Sequence, residues 1–178
     1  MTMDVENVIK KRRSVRSFKP DPISEEDLRK LLDAARWAPS AGNCQPLEMV
    51  VVEKEETKKR LATAALDQSF IAEAPVILVF CANLPRTERR YGKRGTDLYS
   101  IQDTAASVQN VNLIAHELGY ATCWIGAFDE GEVSEVVNTP EEVRPLALVP
   151  IGKPDEDPVA PKRRELEDIV HEEKYSEK

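Results

Sequence analysis

The chain has 178 residues, enough for one domain with a real apolar core, and its 41% hydrophobic content rules out disorder as the main state. Lysine and arginine number 25 against 32 acidic residues, so the net charge of −7 argues against a general binder of nucleic acid or anionic membrane. The three scattered cysteines and two histidines form neither a disulfide framework nor a metal-ligand pattern.

In chain order, residues 5–11 predict a short helix. Pro20 and Pro22 then force extended backbone. Ser24 is an N-cap for a second helix with the apolar stripe Leu28, Leu31, Leu32 and Ala35, ending near Ala38 before Pro39. Residues 39–46 are a loop, 47–52 a strand and 57–66 a helix. Residues 75–81 are apolar on both faces and predict a central strand. Residues 83–96 are polar, basic and expected to be exposed. Leu98, Ile101, Ala105, Val108, Asn112, Ala115 and Leu118 recur at helical spacing, predicting a long central helix over 98–118 that ends at Gly119. Strands are expected at 121–125 and 146–151, with a helix at 129–137 between them. Residues 153–164 are irregular and precede a short helix at 165–171. Alternating strands and helices predict a layered domain containing both.

No stretch reaches the ~20 apolar residues of a membrane helix, and the N-terminus lacks the apolar centre of a signal peptide. The expectation is a cytoplasmic protein. No glycine-rich phosphate turn, Walker loop or nucleophile elbow is present.

Four segments carry chemistry. Arg12, Arg13, Ser14 and Arg16 set guanidinium forks beside a hydroxyl, which suits a phosphate monoester. Residues 39–46 gather Ser40, Asn43 and Gln45 around Ala41 and Gly42, so amides and close backbone can meet a planar heterocycle such as a flavin. Residues 122–128 place Gly126 after a strand, where backbone can face a ligand. Lys162, Arg163 and Arg164 form a second basic cluster near the other end of the chain. The plain alternatives are solvated charge, a helix stop, a buried strand with its turn, or a basic nucleic-acid patch.

Taken in order, these segments resemble the nitroreductase family of FMN-dependent NAD(P)H oxidoreductases. The resemblance rests on Arg12-Arg13-Ser14-x-Arg16 and on the run from Ala38 through Gln45-Pro46. It continues with Ala74-Pro75 before an apolar strand, Cys123-Trp124-Ile125-Gly126-x-Phe128, Gly152-Lys153-Pro154 and Lys162-x-Arg164.

The resemblance implies an α+β, three-layer fold with a mainly antiparallel central sheet, forming an intertwined homodimer with FMN at the interface. Residues 1–178 would be one FMN-binding domain, with 153–178 as a C-terminal arm. Arg12 and Ser14, with Arg13 beside them, would hold phosphate, and Arg16 would lie near the pyrimidine side of the ring. Pro39, Ser40, Ala41 and Asn43 would come from the other subunit. Gln68, with Asp67 as rival, would contact the ring. Ile125 and Gly126 would sit near flavin N5. Lys162 and Arg164 would close on the phosphate, with Arg163 able to replace either.

The implied reaction is ping-pong hydride transfer from NADH or NADPH through the flavin to a nitroaromatic, quinone or similar small acceptor. No side chain is assigned as acid or base, and no metal is expected. A flavin-storage protein and a reductive dehalogenase are the alternatives. Residues 83–97 are a candidate lid, whose positive charge would favour an anionic acceptor or the phosphate of NADPH. Cys44 and Cys123 lie inside matched segments but read as small packed thiols, and Trp37 and Trp124 as core or interface residues.

Overall fold

The computed structural model describes residues 4–176. Helix α1 spans Val5–Lys11, and α2 spans Glu25–Arg36. The α2 start follows from Ser24, whose Oγ accepts from the Asp27 N–H at 3.1 Å. Strand β1 is Leu47–Val52, followed by α3 at Glu55–Ala64 and a one-turn α4 at Phe70–Glu73. Strand β2 is Val76–Asn83. Helix α5 runs over Leu84–Arg94, and a π-helical turn at Gly95–Tyr99 joins it to α6, Ser100–Glu117. Then come β3 at Ala121–Thr122, α7 at Glu130–Val137 and β4 at Val143–Gly152.

The four strands are ordered β1-β2-β4-β3 and every adjacent pair is antiparallel. Strand β2 lies inside the sheet, as its two apolar faces require. Val76, Leu78 and Phe80 pack with α2 and α6 through Leu31, Ala35, Val108 and Val111. Ile77, Val79 and Cys81 point the other way, against Leu61 and Ala64 of α3, Ile71 of α4 and Val133 of α7. Alternation along one strand therefore makes a three-layer α+β domain, with helices on both sheet faces.

Two expectations need correction, and a third gains a structure. Residues 83–96 are exposed at most of their charged positions, as expected, and most of them form helix α5. Pro85 at its first turn suits a helix start, the Leu84 N–H donates to the Glu142 carbonyl at 3.0 Å, and Thr87 and Gly95 are buried.

The expected strand 121–125 shrinks to two residues. Leu148 exchanges both backbone bonds with Ile125, so alternate residues of β4 face β3. The next residue facing that way is Pro150, and the register places it opposite Cys123. Proline offers no N–H, so the ladder lapses there.

The helix expected at 165–171 is one 3-10 turn, Leu166–Asp168. Leu166 and Ile169 remain exposed, so no apolar surface among the described residues supports a longer helix.

Candidate active site

The segment after α1 is fixed at the outer edge of β3. Ser14 bridges Thr122 in parallel sense, and the Val15 N–H donates to the Thr122 carbonyl at 3.0 Å. Val15 and Phe18 are buried beneath, which anchors the segment by packing. Phe18 bridges Pro154, the Lys19 N–H reaches the Lys153 carbonyl at 2.9 Å, and Glu156 accepts from the Arg16 N–H. These contacts bring the start of the C-terminal arm to the arginine cluster.

Arg13 turns back on α1. Its Nη1 donates to the carbonyls of Lys10 at 2.7 Å and Arg12 at 2.8 Å, as a C-terminal cap. Arg12 is half-buried. Burial lowers its pKa first, and the neighbouring charges of Arg13 and Arg163 lower it further. Of the second basic cluster, Arg163 is the member whose charge acts on Arg12. Arg164 donates from Nη2 to the Asp168 carbonyl, and Lys162 is exposed. Among the described residues, no carboxylate forms an ion pair with Arg12, Arg13, Arg16, Lys162, Arg163 or Arg164. Crowded guanidinium groups without an ion-pair partner favour an anion, although Glu156 and Asp157 line the same hollow as Arg12 and Arg13.

The turn after β3 faces the same edge. Ile125 has both backbone groups bonded to Leu148, at 2.9 and 3.0 Å. The Gly126 N–H has no partner among the described residues, and a Cβ there would meet nothing within 4 Å. Gly126 is therefore the backbone donor open to a ligand. Gln68 is placed by left-handed Leu66 and Asp67, with φ of 60° and 57°. Its Nε2 donates to Ala65 at 2.7 Å and Ala127 at 3.3 Å, which joins it to this turn. Burial raises the Cys123 thiol pKa despite nearby Arg16 and Arg12, so it is not an activated nucleophile.

Pro39, Ser40, Ala41 and Asn43 lie elsewhere. Their loop leads into β1, the strand at the opposite edge of the sheet from β3. Three strand spacings separate those edges, roughly 14 Å. One chain therefore does not gather the two sets of predicted residues. The loop borders a cavity of about 610 Å³ whose lining includes Ser40, Gln45, Met49, Arg86 and Asp103.

Sequence reasoning placed Arg86 and Arg90 only in the candidate lid and missed Asp103; each of the three bonds loop backbone. The i, i+4 spacing of Arg86 and Arg90 on one helix face was the available signal. Trp37 and Trp124 are 72% and 41% exposed, so neither belongs to the core of this chain. Among the described residues there is no cluster suited to a metal ion, and no helix is long and apolar enough to cross a membrane.

Known proteins are similar to this chain in sequence and fold. A "NADH dehydrogenase" of Thermus thermophilus is 33% identical over 199 residues, covering 94% of this chain and 95% of the relative. An "FMN reductase [NAD(P)H]" of Bacillus subtilis is 30% identical over 176 residues, covering 92% and 71%. The solved NADPH:FMN oxidoreductase of Vibrio harveyi, complexed with NAD+, superimposes with a TM-score of 0.90 at 27% identity, covering 97% of this chain and 78% of that one. The sequence pattern of the Nitroreductase family matches residues 9–70 and 64–153, and the chain belongs to that family.

Proposed function

We propose that this chain is an FMN-dependent NAD(P)H oxidoreductase that works as a homodimer. One observation carries the reading: a cluster of guanidinium groups without an ion-pair partner stands at a sheet edge, beside a turn with an open backbone N–H. The named relatives support the same chemistry.

The residues present fit FMN. Arg12 and Ser14, with Lys162, Arg163 or Arg164, would hold its phosphate by charge-assisted bonds. Arg16 would set positive charge near the pyrimidine side of the ring, and Gln68 and the Gly126 N–H would border the ring. Pro39, Ser40, Ala41 and Asn43 would complete the site from a second copy, because one chain holds them at the far edge. The exposed Val5 and Trp37, with Ile114, border an apolar groove of about 310 Å³ suited to such contact. Residues 1–178 act as one FMN-binding domain, with 153–178 as its arm.

When bound, FMN supplies hydride acceptance from NADH or NADPH and its delivery to an oxidised acceptor. The protein's residues bind, orient and polarise. No side chain acts as acid or base, and donor and acceptor use one place in turn, giving ping-pong kinetics. The acceptor is a small electrophile such as a nitroaromatic or quinone.

The test is an absorbance spectrum of purified protein, followed by anaerobic NADH and then NADPH. Flavin bands that bleach are expected, from a particle of twice 20.0 kDa. Arg12→Ala should weaken FMN by about 10- to 100-fold, the size of one charged hydrogen bond. Protein that binds no flavin, or a monomer that binds it fully, would refute the reading.

A further inference from the structure

The loop before β1 holds backbone that L-residues avoid. Gly42, Asn43 and Gln45 have φ of 52°, 56° and 50°. Such backbone persists only where its surroundings over-determine it. Bonds within the loop close the turn on itself. The Asn43 N–H donates to the Ser40 carbonyl at 2.9 Å, the Cys44 N–H to Ala41 at 3.0 Å, and the Gln45 N–H to Ser40 Oγ at 2.9 Å. None of these fixes the turn to the rest of the protein.

Three side chains from α5 and α6 do so. Asp103 Oδ1 accepts from the Ala41 N–H at 3.0 Å. Arg90 Nη1 donates to the Gly42 carbonyl at 2.8 Å, and Arg86 Nε to the Cys44 carbonyl at 3.1 Å. Tyr91 covers the same turn, since a Cβ on Gly42 would lie 2.4 Å from its Oη. The grip thus takes hold of residues 41, 42 and 44, on both sides of the left-handed Asn43.

Asp103 is half-buried on α6 beside this loop. Its Oδ2 is buried without a hydrogen-bond partner among the described residues. Burial also raises the carboxyl pKa, against the lowering effect of the Ala41 bond.

We infer that Asp103, Arg86 and Arg90 are positioning residues, holding Ala41, Gly42 and Cys44 so that Ser40, Ala41 and Asn43 meet the flavin of the second subunit. This rests on the function proposed above. It makes α5 part of the cofactor site, although its side chains grip loop backbone and not the ligand.

The test compares wild type with Asp103→Ala, Asp103→Asn and Arg90→Ala as full-length dimers. FMN affinity is read by fluorescence quenching, the flavin midpoint potential by redox titration, and apoprotein stability by thermal melting. Asp103→Ala and Arg90→Ala should each weaken FMN by about ten-fold, as expected for one lost hydrogen bond, and shift the potential. Asp103→Asn keeps a carbonyl oxygen for the Ala41 N–H and should stay within about three-fold of wild type. A purely structural role predicts lower melting temperatures with unchanged potential in protein saturated with FMN, and that result would overturn the inference. So would Asp103→Asn as weak as Asp103→Ala. Tight FMN in wild type with unaltered variants sinks this inference alone, whereas no FMN in wild type sinks the functional reading with it.

Discussion

Replacing Gly42 with alanine separates backbone strain from side-chain grip. Gly42 has φ +52°, and a new Cβ would lie 2.4 Å from Tyr91 Oη and 2.7 Å from Arg90 Cζ and Nη1. Those atoms end flexible side chains, so they move aside rather than clash. Moving Arg90 breaks its 2.8 Å bond to the Gly42 carbonyl. The left-handed backbone costs alanine about 1 kcal/mol. Losing an exposed guanidinium–carbonyl bond costs about 1 kcal/mol, below the range for buried charged groups.

The expected destabilisation is therefore about 2 kcal/mol. Gly119 is the control. Its φ is +75°, and a Cβ there would meet only Lys153 Nζ at an ordinary 3.7 Å. Gly119→Ala should cost about 1 kcal/mol, from backbone strain alone. Urea unfolding of apoprotein at one fixed chain concentration measures both. A double-mutant cycle with Arg90→Ala should show coupling of about 1 kcal/mol at Gly42. Additivity within ~0.5 kcal/mol, or equal costs at Gly42 and Gly119, would refute the reasoning.

Two further outcomes follow from packing and charge. Leu78→Ala, at a fully buried position between Val51 and Val149 on the central strand, should cost about 2–5 kcal/mol in urea melts with an unchanged m-value. Glu130 and Arg144 form two 2.7 Å hydrogen bonds, and the bond from Arg144 is the chief cause holding the Glu130 pKa below its usual 4.5. A depressed folded-state pKa contributes stability above the unfolded value and loses it as pH falls through the folded value. Glu130→Gln should therefore flatten the acid-side loss of stability below about pH 4.5, by less than ~1 kcal/mol because both side chains are over a third exposed. Urea midpoints measured between about pH 3 and 7 check the sign.

Local chemistry was legible in the chain. Ser24 caps α2 because a hydroxyl beside a helix start needs no distant partner. The apolar run from Pro75 to Cys81 announces a strand with two buried faces, which only an interior place satisfies, and the strand forms at Val76–Asn83. The arginine motif, the loop after Pro39 and the turn at Gly126 were visible as chemistry, and in order they indicated the family.

Their arrangement was not legible, because it depends on contacts between residues far apart in the chain. Pro150 ends the β3 ladder only because the register sets it opposite Cys123. Residues 83–96 are exposed charge, as their sequence reads, but nothing local tells that the backbone of Leu84 meets Glu142 or that two arginines meet a loop more than 40 residues away. Asp103 looks like one polar residue on a long helix until Ala41, 62 residues earlier, donates to it. The order of strands, which no spacing within a segment encodes, places the two sets of predicted contacts on opposite edges of the sheet. Sequence determines which groups are available, and long-range backbone pairing decides which of them face one another.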